Sequence, residues 1–338
     1  MQHSKTKNFT TISDVAKYAK VGKTSVSRYL NGEQEKMSKT LRERIAQAIE
    51  QLDYRPNHSA RMLRAGQSKL IGLLLADVTN PYSIEVLQGI EQVCRRQGYM
   101  LMVCNTDHEA SLQDQYLSLL DAHRVDGIII NTASISSAQM DSFSKIACPM
   151  VLVDRVNTTL EVDSVGLNNR EAAQQGIAHL KAQSYQAVLV VSETLAIAPR
   201  QERAQALADF ANANPDIHYQ LTEVDKQDET LLVTSIERFL AENPTKKCAI
   251  FTTNGVATMW VAKALKKLNL KVGQDIGLSG IDDPEWAELF EGGLTVMRQP
   301  TRLIGETACE RLLGRIQGNN EAPQHIELSA ELIIRQST

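Results

Sequence analysis

From Leu70 onward short apolar runs alternate with amphipathic stretches, and a chain patterned this way folds as a parallel sheet with helices on its faces. The first apolar runs are Leu70–Leu75, Met100–Cys104, Gly127–Asn131 and Met150–Val153. Helical periodicity over Ser83–Gln97 and Leu112–Ala122 separates them. A second series begins after Gly166. Its strands are expected over Ala187–Val191, Ala249–Thr252 and Ile276–Gly280, its helices over Arg170–Lys181, Glu202–Ala211, Leu231–Ala241 and Val256–Leu268. Two such series in tandem predict an α/β body of two doubly wound lobes, with the cleft between them as the expected ligand site.

The first 55 or so residues are patterned differently, as an all-α head. Thr11 can cap a helix over Ile12–Ala19, and Lys23–Leu30 forms a second helix that the Asn31-Gly32 pair stops. Ser38 can cap a third, Lys39–Leu52, with Leu41, Ile45, Ala48, Ile49 and Leu52 on one face. Arg55-Pro56-Asn57 breaks the pattern, a short helical stretch follows over His58–Arg64, and 65–68 form a flexible joint. These divisions predict a helix-turn-helix domain over 1–57, a hinge helix and linker over 58–68, and a body over 69–338. Within the body one lobe is expected at about 69–166 plus 299–321, the other at about 167–298 plus 322–338.

Charge separates head from body. Residues 1–66 carry 13 Lys and Arg against 6 Asp and Glu, a net of +7, whereas the remainder carries 23 against 34, a net of −11. A basic head on an acidic body suits a polyanion at the head alone. Lys23, Thr24, Ser27 and Arg28 share the polar face of the second helix, where side chains can donate to base edges and phosphates. The same helices also suit a plain three-helix bundle with a solvated polar face.

Other classes find little support. The N-terminal stretch 1–10 is polar, without the apolar core of a secretory signal, and no apolar run approaches the ~20 residues of a membrane span. Five cysteines, Cys94, Cys104, Cys148, Cys248 and Cys309, show no metal-ligand spacing and suit a reduced, cytoplasmic setting. There is no G-x-G-x-x-G after a strand, no phosphate-binding loop and no G-x-S-x-G. No cofactor, metal or catalytic activity is expected.

Three linked motifs in the head, Thr11-Ile12-Ser13-Asp14-Val15-Ala16, Thr24-Ser25-Val26-Ser27-Arg28-Tyr29-Leu30-Asn31-Gly32 and Leu52-Asp53-Tyr54-Arg55-Pro56-Asn57, resemble the lactose-repressor/galactose-repressor (LacI/GalR) family. The resemblance runs through the whole chain. It implies a homodimer on double-stranded operator DNA, contacted through Thr11, Lys23, Thr24, Ser27, Arg28, Asn31, Tyr54 and Asn57. Ala60 and Leu63 would lie at the minor groove, Leu63 wedged into a base step. Two positions depart from the family pattern: Lys20 replaces the glycine of the turn, and Gly22 replaces the serine that caps the second helix.

In the body the family is similar to periplasmic sugar-binding proteins. The resemblance places Asn131, Asp154, Arg203, Asn254 and Asp282 at the effector, with Tyr82 and Ser83 on the cleft wall and Trp286 as a stacking surface. Asp154 and Asp282 also suit strand-end caps, and Trp286 also suits ordinary core. Carboxylates and amides pair with the adjacent hydroxyls of a polyol, and an arginine fork takes a hydroxyl or a carboxylate. Asn254-Gly255 stands where the family commonly has Asn-Asp, and Arg155 follows Asp154 directly. One acid fewer and one base more favour an anionic ligand. Together with Cys104-Asn105-Thr106, these segments look like the branch that senses keto sugar acids such as 2-ketogluconate or 2-keto-3-deoxygluconate. That branch is released from its operator by its effector; co-repression is the opposite-sign alternative, and a solute-binding protein a further one.

Overall fold

The computed structural model describes residues 10–33, 35, 37–55, 67–131, 142–143, 145–154, 160–225 and 228–338. The chain divides into two compact units, 1–68 and 69–338.

The first unit contains α1 (Ile12–Tyr18), α2 (Lys23–Leu30) and α3 (Lys39–Gln51). Thr11 and Asp14 cap α1 reciprocally: the Thr11 hydroxyl accepts from the Asp14 N–H, and Asp14 Oδ2 accepts from the Thr11 N–H at 2.9 Å. Val15, Ala16, Val26, Ile45 and Ala48 close over one another as a small core. Lys20 holds the inter-helix turn at φ +52, a left-handed conformation that glycine reaches more cheaply. The Arg44 guanidinium of α3 donates to the carbonyls of Ala19 and, at 3.0 Å, of Lys20. The turn that Lys20 put in question is thus kept, with Arg44 tying its carbonyls down.

The second unit has two six-stranded sheets. The first has the order β11-β5-β4-β3-β1-β2, all parallel: β1 (Leu70–Leu75), β2 (Met100–Asn105), β3 (Gly127–Asn131), β4 (Met150–Val153), β5 (Asp163–Leu167) and β11 (His325–Leu328). The second has the order β12-β10-β9-β8-β6-β7: β6 (Ala187–Ser192), β7 (His218–Glu223), β8 (Cys248–Thr252), β9 (Gly277–Ile281), β10 (Thr295–Arg298) and β12 (Glu331–Ile333), the last antiparallel. The covering helices are α4 (Pro81–Arg96), α5 (Ala110–Ala122), α6 (Asn169–Ala182), α7 (Ala198–Ala213), α8 (Glu229–Glu242), α9 (Gly255–Lys267) and α10 (Thr301–Ile316). In each sheet the strand order reverses once, between β1 and β3 and between β6 and β8. Ligands of open parallel sheets bind beyond the carboxyl ends at such points.

One expected boundary is corrected. Residues 322–338 do not all join the second lobe, because β11 pairs with β5, His325 opposite Ser164 and Leu328 opposite Leu167. The physical cause is Asp163. Its fully buried carboxylate accepts from Arg315 Nε at 2.7 Å, from Arg311 at 3.0 Å and from the Gln324 N–H at 2.8 Å, which draws the returning chain onto the β5 edge.

Helix α10 is held to the first lobe by contact between helix backbones. A Cβ on Gly89 of α4 would collide with the Arg302 carbonyl, and one on Gly305 of α10 with the Val86 carbonyl. Further along the same seam Cys94 and Cys309, both buried free thiols, bring their sulfurs to 3.6 Å. Among the described residues no helix is long and apolar enough to cross a membrane.

Two predictions follow from these contacts. Gly89→Ala should lower unfolding stability by about 3 kcal/mol, because backbone rather than a side chain blocks the new methyl. Gly314→Ala, in α10 with open space around it, should instead be neutral or stabilising by up to about 1 kcal/mol; urea unfolding of the two variants decides this. Burial opposes the Asp163 charge, but Arg315, the Gln324 N–H and Arg311 outweigh it and hold the carboxyl down to about 2. A depressed folded-state pKa adds stability above the unfolded value near 4, worth about 2 kcal/mol, which is lost as pH falls from about 4 to about 2. Wild type should show that acid-side loss in urea midpoints, and Asp163→Asn should lack it while being less stable at neutral pH.

Candidate functional site

In the head, the polar face of α2 is presented as the spacing predicted. Lys23, Thr24 and Arg28 are exposed and Ser27 is half-buried, while Val26 turns inward to the core. Arg28 lies 4.0 Å from Glu33, a loose exposed pair of the kind that contributes little and yields easily to a phosphate. Asn31 is exposed at the C-cap of α2. The Thr11 hydroxyl is engaged in its capping box, donating to Asp14 at 2.7 Å. Tyr54 is 9% exposed and belongs to the head's core. Asn57, Ala60 and Leu63 lie outside the described residues, as does Arg155 of the body.

In the body, the carboxyl ends of both sheets converge on one cleft. It is lined from the first lobe by Ala76, Asp77, Asn80, Tyr82, Ser83, His108, Asn131 and Asp154. The second lobe contributes Ile197, Pro199, Arg200, Arg203, Asn254 and Asp282, and the crossover Gln299. Asn131 ends β3 beside Leu75 of β1, at the switch point of the first sheet. Asn254 opens α9 just beyond β8, at the switch point of the second. Seven of the expected effector residues therefore meet here: Tyr82, Ser83, Asn131, Asp154, Arg203, Asn254 and Asp282. Trp286 does not. It lines an adjoining groove with Trp260 and Met259, which shares Asn80, Tyr82, Asp282 and Gln299 with the cleft, and packs 6.3 Å from Phe290. It packs against the second lobe's core on one side and, half-buried, lines that groove on the other.

The cleft groups are not alike in their freedom. Arg203, 3% exposed, donates from Nε to Asn169 at 2.7 Å and from Nη1 to the Thr253 carbonyl at 2.8 Å, which fixes the guanidinium plane. Asp282 sits at φ +86 and accepts from the Gly255 N–H at 2.7 Å and from Gln299 Nε2 at 2.6 Å. Its carboxylate thus ties the start of α9 to the crossover, the strand-end capping role that the sequence left open. Asn254 caps α9 and donates to Glu193 at 2.5 Å. Asp154, at φ +67, lies close enough to the Tyr82 hydroxyl to act on it. Burial above all, then the Asp154 charge, pushes the Tyr82 phenol well above its ordinary range, so it stays protonated and able to donate.

Asn131 Nδ2 and Gln299 Oε1 are buried polar atoms without a hydrogen-bond partner, and both belong to residues of this cleft. A buried polar atom left unpaired costs about 1–3 kcal/mol. Two in one place, beside the protonated Tyr82 hydroxyl, form a template for a hydroxyl-rich guest. Among the described residues no group of three or more His, Cys, Asp or Glu could hold a metal ion. Sequence reasoning missed Arg200 and treated Gln299 only as a marker of the crossover. The signal for Arg200 was present, since it stands one helical turn before Arg203.

Comparison with known proteins agrees with both halves of this description. Residues 11–57 match the bacterial regulatory proteins of the lacI family, and residues 68–336 match the periplasmic binding proteins and sugar binding domain of LacI family. The HTH-type transcriptional regulator PtxS of Pseudomonas putida is 41% identical over 334 residues, covering 98% of this chain and 97% of its own. The HTH-type transcriptional regulator KdgR of Bacillus subtilis is 38% identical over 337 residues, covering 98% and 99%. Among solved structures, the lac repressor dimer bound to operator and an anti-inducer superposes with a TM-score of 0.85 at 24% identity, over 98% of this chain and 99% of that one, a likeness of fold. With both of its parts matched to the family and full-length regulators sharing about two residues in five, this chain belongs to the LacI family of bacterial transcription regulators.

Proposed function

We propose that this regulator is a cytoplasmic repressor of a sugar-acid catabolic operon, which grips its operator as a homodimer and lets go when a keto sugar acid fills the cleft. It acts by binding, not by catalysis. The observation that carries this reading is the pair of unpaired buried groups, Asn131 Nδ2 and Gln299 Oε1, in a cleft that also holds the anchored Arg203. A polyol supplies hydroxyls to the unpaired groups, and a carboxylate suits the guanidinium. The 2-ketogluconate and 2-keto-3-deoxygluconate class is favoured by the sequence resemblance and by Gly255, which leaves one acid fewer beside Asp282 where the cleft meets the adjoining groove.

The mechanism is a linkage between two states. The ligand touches both lobes and Gln299 on the crossover, so it binds better when the lobes close. Gln299 leads through Pro300 directly into α10, whose backbone is wedged against α4. A shift of the lobes therefore moves the α4–α10 pair as one body. In a dimer that motion separates the two hinge segments and weakens the heads' joint hold on DNA. The direction, release rather than co-repression, follows the resembling branch.

The test is fluorescence anisotropy on an operator selected from random-sequence DNA, with and without 2-ketogluconate, 2-keto-3-deoxygluconate and the neutral sugars fructose and glucose. The expected result is operator affinity at least about tenfold weaker with one sugar acid and unchanged with the neutral sugars, a coupling of about 1–3 kcal/mol. Tighter binding with the acid would reverse the logic to co-repression, and no sequence-specific binding would overturn the regulator reading. Arg28→Ala should cost about 1–3 kcal/mol of operator affinity and flatten its salt dependence.

A further inference from the structure

Two arginines one turn apart on α7, Arg200 and Arg203, both line the cleft. Their anchors differ. Arg203 is held by neutral groups, the Asn169 amide oxygen and the Thr253 carbonyl. Arg200 has a side chain 12% exposed and spends one N–H on Glu193 Oε2 at 2.7 Å. Glu193 does not line the cleft, and it also receives the Asn254 amide at 2.5 Å, so this oxygen is crowded and held in place from the second lobe alone. The Arg200 guanidinium is thereby oriented from one side, and its planar fork has further donors than the one that Glu193 uses.

Arg200 is a buried cation with a second cation beside it. Burial chiefly, and the neighbouring Arg203 charge with it, depress the Arg200 pKa, against the pull of Glu193, Asp154 and Asp282. A buried guanidinium with one ion pair and a second cation beside it gains from an anion set against its remaining donors. A neutral sugar offers no such gain, because its hydroxyls satisfy donors without cancelling charge. We infer that Arg200 is the specificity-determining residue of the cleft: it supplies the second guanidinium to the carboxylate of a sugar-acid effector and so separates that acid from neutral sugars. Arg203 holds the ligand in either case. This inference rests on the sugar-acid reading of the cleft.

The experiment titrates 2-ketogluconate, 2-keto-3-deoxygluconate and the methyl ester of each calorimetrically into the full-length wild type, Arg200→Gln and Arg200→Lys, with circular dichroism melts to establish that each is folded. The ester keeps the hydroxyls and removes the charge. Wild type is expected to prefer one acid over its ester by about 10- to 100-fold, the worth of one or two charge-assisted hydrogen bonds. Arg200→Gln is expected to lose most of that preference while binding the ester much as wild type does. Arg200→Lys, which keeps the charge but not the fork, should retain part of it. If wild type prefers an acid and Arg200→Gln, or Arg200→Lys should the former not fold, retains the preference in full, the role of Arg200 is overturned and the sugar-acid reading stands. If wild type treats acid and ester alike, or binds neither acid, the sugar-acid reading itself is overturned and the inference falls with it.

Discussion

Helices α4 and α10 touch backbone to backbone at Gly89 and Gly305, with no room for a side chain between them. The two glycines lie more than 200 residues apart, yet their contact decides how the body is assembled. It brings a late segment back to complete the first lobe, and Asp163 then receives Arg311, Arg315 and the Gln324 backbone so that β11 closes the sheet edge. The chain must therefore pass between the lobes three times, after β5, after β10 and after β11. A joint of three strands of chain permits opening and closing more readily than sliding, and it places a crossover residue, Gln299, at the floor of the cleft.

That arrangement makes the cleft a site of stored cost. Buried polar atoms of Asn131, at the first sheet's switch point, and of Gln299, on the crossover, are left unpaired, and two guanidiniums share a space. Around them the protein has already spent its compensating partners: Asp282 on Gly255 and Gln299, Asn254 on Ala257 and Glu193, Asn169 on Arg203 and Glu202. These bonds fix the geometry of the wall without filling its needs. A ligand that satisfies both lobes at once gains most in the closed form, and this differential is what any coupling to the head must draw on.

Much of this was legible in the sequence where burial is two-sided. β1, β3, β4, β6 and β8 are continuous apolar runs because helices cover both faces. β7, His218–Glu223, is a polar edge strand and gave no such signal, and β5 and β11 depend on a pairing across more than 150 residues that no local pattern carries. α7 begins at Ala198 with Pro199 in its first turn, four residues before the apolar periodicity suggested, which is why Arg200 was overlooked. The cleft residues that resemblance supplied came together, Trp286 in the groove that adjoins the others. In the head the departure at Lys20 mattered less than its chemistry suggested, because Arg44, 24 residues away, holds the turn. Tyr54 sits in a motif shared with DNA-binding heads, yet its ring is core, a distinction visible only once α1 and α3 are packed.

The central claim is that ligand and operator oppose one another through the body, and linkage makes the opposition reciprocal. Calorimetric titration of 2-ketogluconate and 2-keto-3-deoxygluconate into the full-length protein, first alone and then saturated with operator, measures it directly. Effector affinity should fall in the presence of operator by the same factor by which effector weakens operator binding. Effector affinity that operator leaves unchanged, with both ligands bound, would contradict the account.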